Sequence, residues 1–329
     1  MISRGWLDTY GRLAPISLRT APVISIQKLQ LVKVGCHVRV YSHYQFKCSE
    51  NFMKIHPDAV RGSVGVGGAE VTYYDTGRPG AGSPVVLVHG TGGSAMAHFR
   101  TVFPMLAARH RVIGLDLGRA ETFEGLVSQV EEVIAVRTFA EPVALVGYSL
   151  GAAIATAVAA RRAVTIDKLV LICGWAKTDS VQRARYGLWH RLYAEDHDAL
   201  KIFSTLMSFG QTYLDARTPT DLRALIDART FSPGIVEQMR INENVDVSGE
   251  LEYVVSPTLI IGGASDQMVP IKHSRLLFGA IENSRFAEIP TGHAATTERP
   301  AQVFKLIDDF VRELPHTTPA GAVLDTAAF

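Results

Sequence analysis

The sequence predicts an α/β fold, a doubly wound and mostly parallel sheet with a helical segment inserted after the sixth strand. Three observations carry that expectation. Short β-branched apolar runs alternate with helical patterns from residue 85 to residue 172, and such alternation implies parallel strands with helices on both faces. The alternation stops at Gly174, gives way to helical patterns up to Val254, and resumes with PTLIIGGASD at 257–266. The chain has 329 residues, 47% of them hydrophobic and 20% charged, which is an ordinary globular balance with material for a large core.

Residues 1–52 read differently from the rest. They hold seven Lys or Arg against two acids, and Gln27, Lys28, Gln30 and Lys33 interrupt their only apolar stretch, so they lack the core of a secretory signal. This segment is expected to lie outside the fold as an upstream extension. Met53 then opens a hairpin, Ser63 to Val66 against Glu70 to Asp75 around Gly67-Gly68. Strand Val85–Val88 follows, then a helix over about 95–109, strand Arg111–Leu115, and a helix over about 122–138. Next come strand Val143–Val146, helix Ala152–Arg162 and strand Lys168–Ile172.

The span 174–254 is too long for a structureless connection inside a compact domain. Leu188, Leu192 and Tyr193, then Leu200, Phe203, Leu206 and Met207, recur at helical spacing, so the span is read as a helical lid. Trp189, Tyr193, Phe203, Met207 and Phe209 would form the lid core, with some of them facing a pocket. The core resumes over 255–314 with strand Thr258–Ile261, a helix from Ile271 to Ile281 and strand Arg285–Ile289. The tail 315–329 has no periodic pattern and is expected to be mobile.

The chemistry concentrates in PVALVGYSLGAAIATAVAARR at 142–162. A β-branched run enters Gly147-Tyr148-Ser149-Leu150-Gly151 and leaves as an Ala-rich helix, the strand-turn-helix setting of a nucleophile elbow, with Ser149 as nucleophile. A serine hydroxyl needs a base to take its proton, and the base needs a third group to fix its tautomer. Asp266 sits at the C-terminal end of an apolar strand, and His293 lies just past the end of the next one. In an open α/β sheet that edge is where ligands bind. The chain order serine, aspartate, histidine differs from the orders of the chymotrypsin and subtilisin types. Two N–H donors must hold the oxyanion. Leu150, directly after the serine, supplies one. The loop His89-Gly90-Thr91-Gly92-Gly93-Ser94 supplies the other, at Thr91.

On the motifs HGTGGS, GYSLG, GGASDQMVP and GHAATTERP, in that order, the chain resembles the α/β-hydrolase fold superfamily over about residues 64–312, in its esterase, lactonase and C–C hydrolase branch. The resemblance implies a cofactor-independent serine hydrolase of a small, largely apolar ester, lactone or thioester. It also permits, as alternatives, C–C bond hydrolysis, perhydrolase or haloperoxidase chemistry, and a small-molecule receptor that keeps the triad. One departure stands out. Members carry a D-x-x-G-x-G-x-S loop before the elbow unit, whereas RVIGLDLGRAETFEG (111–125) keeps Asp116 and Gly118 and passes straight into a helix.

A formal net charge of +1 argues against nucleic-acid or anionic-membrane partners, and no run approaches the roughly 18 apolar residues of a spanning helix. Three scattered cysteines make no disulfide framework and suit a reducing compartment, so a cytoplasmic location is expected. Cys173 reads as a small buried residue. The spacing of Cys36, His37, His43 and Cys48 matches no common zinc pattern, and no metal or cofactor is expected. His89 is assigned a structural hydrogen bond, His98 and His110 no role, and Asp246 stands as the alternative acid to Asp266.

Overall fold

The structure is a computed structural model that describes residues 31–34, 37–40, 55–77, 82–139, 141–162, 165–232, 234–313 and 318–326. It divides into two units, 1–52 and 53–329. In the first, strands β1 (Leu31–Val34) and β2 (His37–Val40) pair antiparallel with Val34 opposite His37. Cys36, His43 and Cys48, weighed as zinc ligands, lie outside the described residues.

The second unit opens with the hairpin β3 (Val60–Val66) and β4 (Ala69–Asp75), whose register sets Val66 opposite Ala69. Its two-residue turn, Gly67-Gly68, has φ of 57° and 83°. Positive φ at both central positions matches the twist of a tight hairpin and explains the glycine pair. There follow β5 (Val85–Val88), α1 (Ala95–Phe99), α2 (Val102–Ala107), β6 (Val112–Asp116), α3 (Phe123–Thr138), β7 (Val143–Tyr148), α4 (Leu150–Arg161) and β8 (Ile166–Ile172). The single helix expected over 95–109 is in fact two. Pro104 has no N–H for the Arg100 carbonyl and its ring crowds that group, so the first helix stops and a second starts with Pro104 in its first turn.

Between β8 and β9 the chain leaves the sheet as α5 (Ser180–Glu195), α6 (His197–Ser208), α7 (Gln211–Asp215), α8 (Pro219–Asp227), α9 (Ile235–Glu243) and a 3₁₀ turn (Ser248–Tyr253). Their starts are set locally: Asp179 and Gln182 form a capping box, Asp196 caps α6, and Thr218 caps α8 ahead of Pro219. The chain returns through β9 (Thr258–Gly263), α10 (Lys272–Ala280), β10 (Ser284–Ile289), α11 (Ala295–Glu298) and α12 (Pro300–Arg312). Among the described residues no helix is long and apolar enough to cross a membrane.

The eight-stranded sheet has the order β10-β9-β8-β7-β5-β6-β4-β3, parallel from β10 to β6 and antiparallel at β4 and β3. Strand order reverses at β5, since β6 lies on one side of it and β7 on the other. The loops after β5 and β7 therefore diverge and leave a crevice at the strands' C-terminal ends. Val85 to Val88 and Val143 to Val146 are fully buried and send alternate side chains into two cores, one under α3, α4 and α10 and one under α1, α2 and α12. Burying each such Val or Leu stabilises the fold by about 1.5–3 kcal/mol. At the end of β4, buried Asp75 ties that strand to β6 and α3: its carboxylate accepts from Arg111 (3.1 and 2.8 Å), Arg137 (3.0 and 2.7 Å) and the Gly77 amide (2.8 Å).

Part of the tail pairs with the sheet. Over 318–326 it follows the edge of β10, with Gly321 N–H donating to Ser284 O (2.8 Å), Phe286 N–H to Ala322 O (3.0 Å) and Leu324 N–H to Phe286 O (2.8 Å). An edge strand offers a row of unpaired backbone groups, and pairing with them needs no side-chain periodicity.

Candidate active site

Ser149 stands between β7 and α4 at φ 56° and ψ −121°, a backbone conformation that L-residues avoid. Its neighbours explain why it can stay there. A Cβ on Gly147 would run into the Gly151 carbonyl, and one on Gly151 would run into the Val88 and His89 carbonyls, so strand and helix approach only because both positions lack a side chain. The Ser149 N–H donates to Ile172 O at 2.9 Å, which ties the elbow to the adjacent strand.

His293, in the loop after β10, and Asp266, in the loop after β9, converge on the elbow. The His293 Nε2 to Ser149 Oγ distance is 2.8 Å, and His293 Nδ1 to Asp266 Oδ2 is 2.7 Å. All three side chains are buried. Asp266 Oδ1 accepts from the amides of Met268 (2.9 Å) and Val269 (2.8 Å), which fixes the carboxylate plane and leaves Oδ2 for the imidazole. His293 is held from behind as well. Tyr148 donates its hydroxyl to His293 O at 2.9 Å, and burial pushes that phenol's pKa well up, keeping it a donor. Glu298 Oε1 accepts from Gly292 N–H (3.0 Å) and Gly210 N–H (3.1 Å), joining the histidine loop to the end of α6. Asp246 lies elsewhere: it is exposed and paired with Lys177 at 2.6 Å.

The loop after β5 runs beside the serine, close enough that a Cβ on Gly90 would fall 2.8 Å from Ser149 Cβ. Among the described residues the Thr91 N–H has no acceptor. Leu150, first residue of α4, has an N–H with no intrahelical acceptor, at the positive end of the helix dipole. Two histidines set the loop. His89 Nε2 accepts from Leu117 N–H (2.9 Å), so its Nδ1 carries the proton and donates to Gly90 O (2.7 Å). His98 Nδ1 accepts from Gly90 N–H at 3.0 Å, and burial brings its pKa down to about 3, so it stays a neutral acceptor. His98 thus has a function that its position in a helix concealed. Helix α9 grips the same loop: Gln238 Oε1 accepts from Gly92 N–H (2.7 Å) and Asn242 Nδ2 donates to Thr91 Oγ1 (2.8 Å). The four-residue spacing of Gln238 and Asn242 puts them on one helix face, which was the only signal available in the sequence.

A cavity of about 360 Å³ opens over Ser149. Trp189, Phe203, Met207 and Phe209 line it, whereas Tyr193 stacks on Trp189 at 4.9 Å among the helices. Arg185 and Arg229 also line it, and neither was singled out from the sequence. Cys173, directly after β8, is fully buried, and its sulfur lies within 4.8 Å of ligand atoms of Asp266 and His293. This trio does not suit a metal ion. Both imidazole nitrogens are already engaged, and burial pushes the Cys173 thiol up, away from the thiolate a metal requires. The arrangement can instead move a proton from Ser149 Oγ to His293 and present two backbone N–H groups to a developing negative charge.

Comparison with known proteins agrees with this reading of the fold. The family model described as the alpha/beta hydrolase family matches residues 85–306. The chain is 28% identical over 260 residues to pyrrolizixenacetamide deacetylase of Xenorhabdus hominickii, covering 75% of this chain and 97% of that one. It is 25% identical over 284 residues to 2-hydroxy-6-oxo-6-(2'-aminophenyl)hexa-2,4-dienoic acid hydrolase of Metapseudomonas resinovorans, covering 79% and 93%. Among solved structures, the enol-lactonase of Burkholderia xenovorans superposes with a TM-score of 0.64 at 22% identity, over 77% of this chain and all (100%) of that one, a likeness of fold.

Proposed function

The chain belongs to the alpha/beta hydrolase family, and from that premise we propose that it is a cofactor-independent serine hydrolase of a small ester, lactone or thioester. The observation that carries the proposal is the relay of 2.8 Å from Ser149 Oγ to His293 Nε2 and 2.7 Å from His293 Nδ1 to Asp266 Oδ2. Ser149 Oγ attacks the substrate carbonyl as its proton passes to Nε2. The carbonyl oxygen becomes an oxyanion held by the Thr91 and Leu150 amides. Collapse of this intermediate expels the leaving group, which takes the proton from His293 and leaves an acyl-serine. Water then attacks the acyl group, again giving its proton to Nε2, and the acid departs as Ser149 regains its hydroxyl. Asp266 orients the imidazole throughout and stabilises its positive charge. Helices α5 to α9 act as a lid, and their apolar wall with a volume of about 360 Å³ suits a compact substrate.

The relatives include enzymes named as a deacetylase and as a dienoic acid hydrolase, so amide or C–C cleavage on the same residues is the second reading. Turnover of p-nitrophenyl esters of graded acyl length tests the proposal. Hydrolysis peaking at short acyl chains is the expected result. No hydrolysis of any ester, with ligand binding intact, would point to a receptor.

A further inference from the structure

Several of the arginine side chains that hold this fold together pair with acids. Arg111 and Arg137 meet Asp75, Arg161 meets Glu124 and Glu250, and Arg109 meets Asp308. Arg229 does not. It sits between α8 and α9 with its guanidinium in the wall of the active-site cavity, where one N–H group donates to Ser204 O at 3.2 Å and the cation lies 5.5 Å from the centre of the Phe209 ring. Among the described residues no carboxylate pairs with it, and no Asp or Glu lines the cavity. Tyr148, Ser149 and His293 line the same cavity. A guanidinium has five donors and stays charged at any ordinary pH. Here one donor is used within the protein, and the desolvated cation has no counter-charge. Arg185 adds a second cation to the same wall, donating to Met268 O at 3.3 Å.

We propose that Arg229 is the anion-recognising residue of this cavity and that the substrate carries a carboxylate, held by the guanidinium fork while Ser149 attacks a carbonyl a few carbons away. This deepens the hydrolase reading and rests on it. The apolar wall takes the carbon chain, and the carboxylate supplies the charge that the site lacks. A planar fork matches a carboxylate in two parallel hydrogen bonds, which fixes orientation as well as affinity. A substrate bound in this way reaches the serine in one register, and a neutral ester of the same length does not.

The test pairs p-nitrophenyl valerate with the mono-p-nitrophenyl ester of glutaric acid, which differ only in the terminal carboxylate. The succinic and adipic half-esters read the distance between the two sites. The wild-type protein is expected to favour the glutaric or a neighbouring half-ester in kcat/KM. In Arg229→Gln the ratio of half-ester to neutral ester should fall by about 30-fold or more, the scale on which a buried charge pair is lost. A wild type without preference, or a ratio unchanged by the substitution, overturns the proposal. Calorimetric binding of free glutarate to the full chain carrying Ser149→Ala separates this from the catalytic reading, since it needs no turnover. Binding that disappears on adding Arg229→Gln supports the anion site even if no ester is cleaved. Absent binding, or binding that survives the change, refutes it. Arg229→Met keeps the apolar stem over Phe209 and replaces the Gln variant if that one does not fold. Failure of both to fold would make Arg229 a structural tie and sink the proposal.

Discussion

Replacing Asp266 by Asn has a consequence that the hydrogen bonds around it dictate. Oδ1 accepts from the Met268 and Val269 amides at 2.9 and 2.8 Å, so the amide oxygen of an asparagine must take that place. The reverse orientation would set an NH₂ group against two N–H donors. The asparagine NH₂ therefore faces His293 Nδ1, now 2.7 Å from a donor instead of an acceptor. Nδ1 can only accept, the proton moves to Nε2, and Nε2 then donates to Ser149 Oγ and cannot take its proton. In a serine-protease triad the same change costs about 10⁴-fold in kcat, or roughly 5.4 kcal/mol of transition-state stabilisation. A loss of similar order is expected here for a short p-nitrophenyl ester, with the urea unfolding curve showing a folded protein. Asp246→Asn, which changes an exposed pair with Lys177, should keep turnover close to that of the wild type. Near-normal rates in Asp266→Asn, or a collapse in Asp246→Asn, would show the orienting acid to be misassigned.

Two further substitutions address stability and its dependence on pH. Burial alone would raise the Asp75 pKa, but Arg111, Arg137 and the Gly77 amide overcome it and hold it below the ordinary 3.8. A depressed folded pKa contributes stability that is present above the unfolded value and lost as pH falls through the folded one. Asp75→Asn should cost about 3–5 kcal/mol at pH 7 because two guanidinium groups lose their partner, and denaturant titrations at pH 7 and at about pH 3 should show that cost shrinking in acid. Burial holds His98 down to about 3, while the unfolded chain takes up the proton near 6.5. Its contribution is thus complete above pH 6.5 and falls by up to about 1.4 kcal/mol per unit between there and pH 3. His98→Asn, whose side-chain oxygen can replace Nδ1 as acceptor for Gly90 N–H, should flatten that slope. An identical slope in the variant, from unfolding midpoints at several pH values, would remove His98 as its source.

The parts of this site that are readable in the sequence are those made by the chain's own local signals. Gly147, Gly151 and the Ala-rich start of α4 announce a tight strand-to-helix turn, and Asp266 and His293 each follow an apolar strand, so the sheet's geometry brings all three loops to one edge. Contacts made across long stretches of sequence leave no such mark. Gln238 and Asn242 reach residues 92 and 91 from α9, and their type alone says nothing of where they point. Arg229 is one of many arginines in the sequence, and only its place in the cavity wall with no acid beside it distinguishes it. His98 carries no signal of a role in the sequence, because its bond to Gly90 depends on how α1 packs. The split between α1 and α2 was foreshadowed by Pro104, whereas the tail's docking on β10 uses backbone groups that every residue possesses.

The central claim is that Ser149 Oγ, activated by His293, is the nucleophile. Turnover of a short p-nitrophenyl ester by Ser149→Ala, measured beside the wild type with unfolding curves for both, tests it most directly. Removing a nucleophile that acts with its base costs on the order of 10⁶-fold in a serine protease, and a fall of at least roughly 10⁴-fold is expected here, with stability equal to or slightly above that of the wild type as the loss of Oγ eases the elbow. A well-folded Ser149→Ala protein that retains more than about a tenth of the wild-type rate would contradict the account, whatever the distances among Ser149, His293 and Asp266.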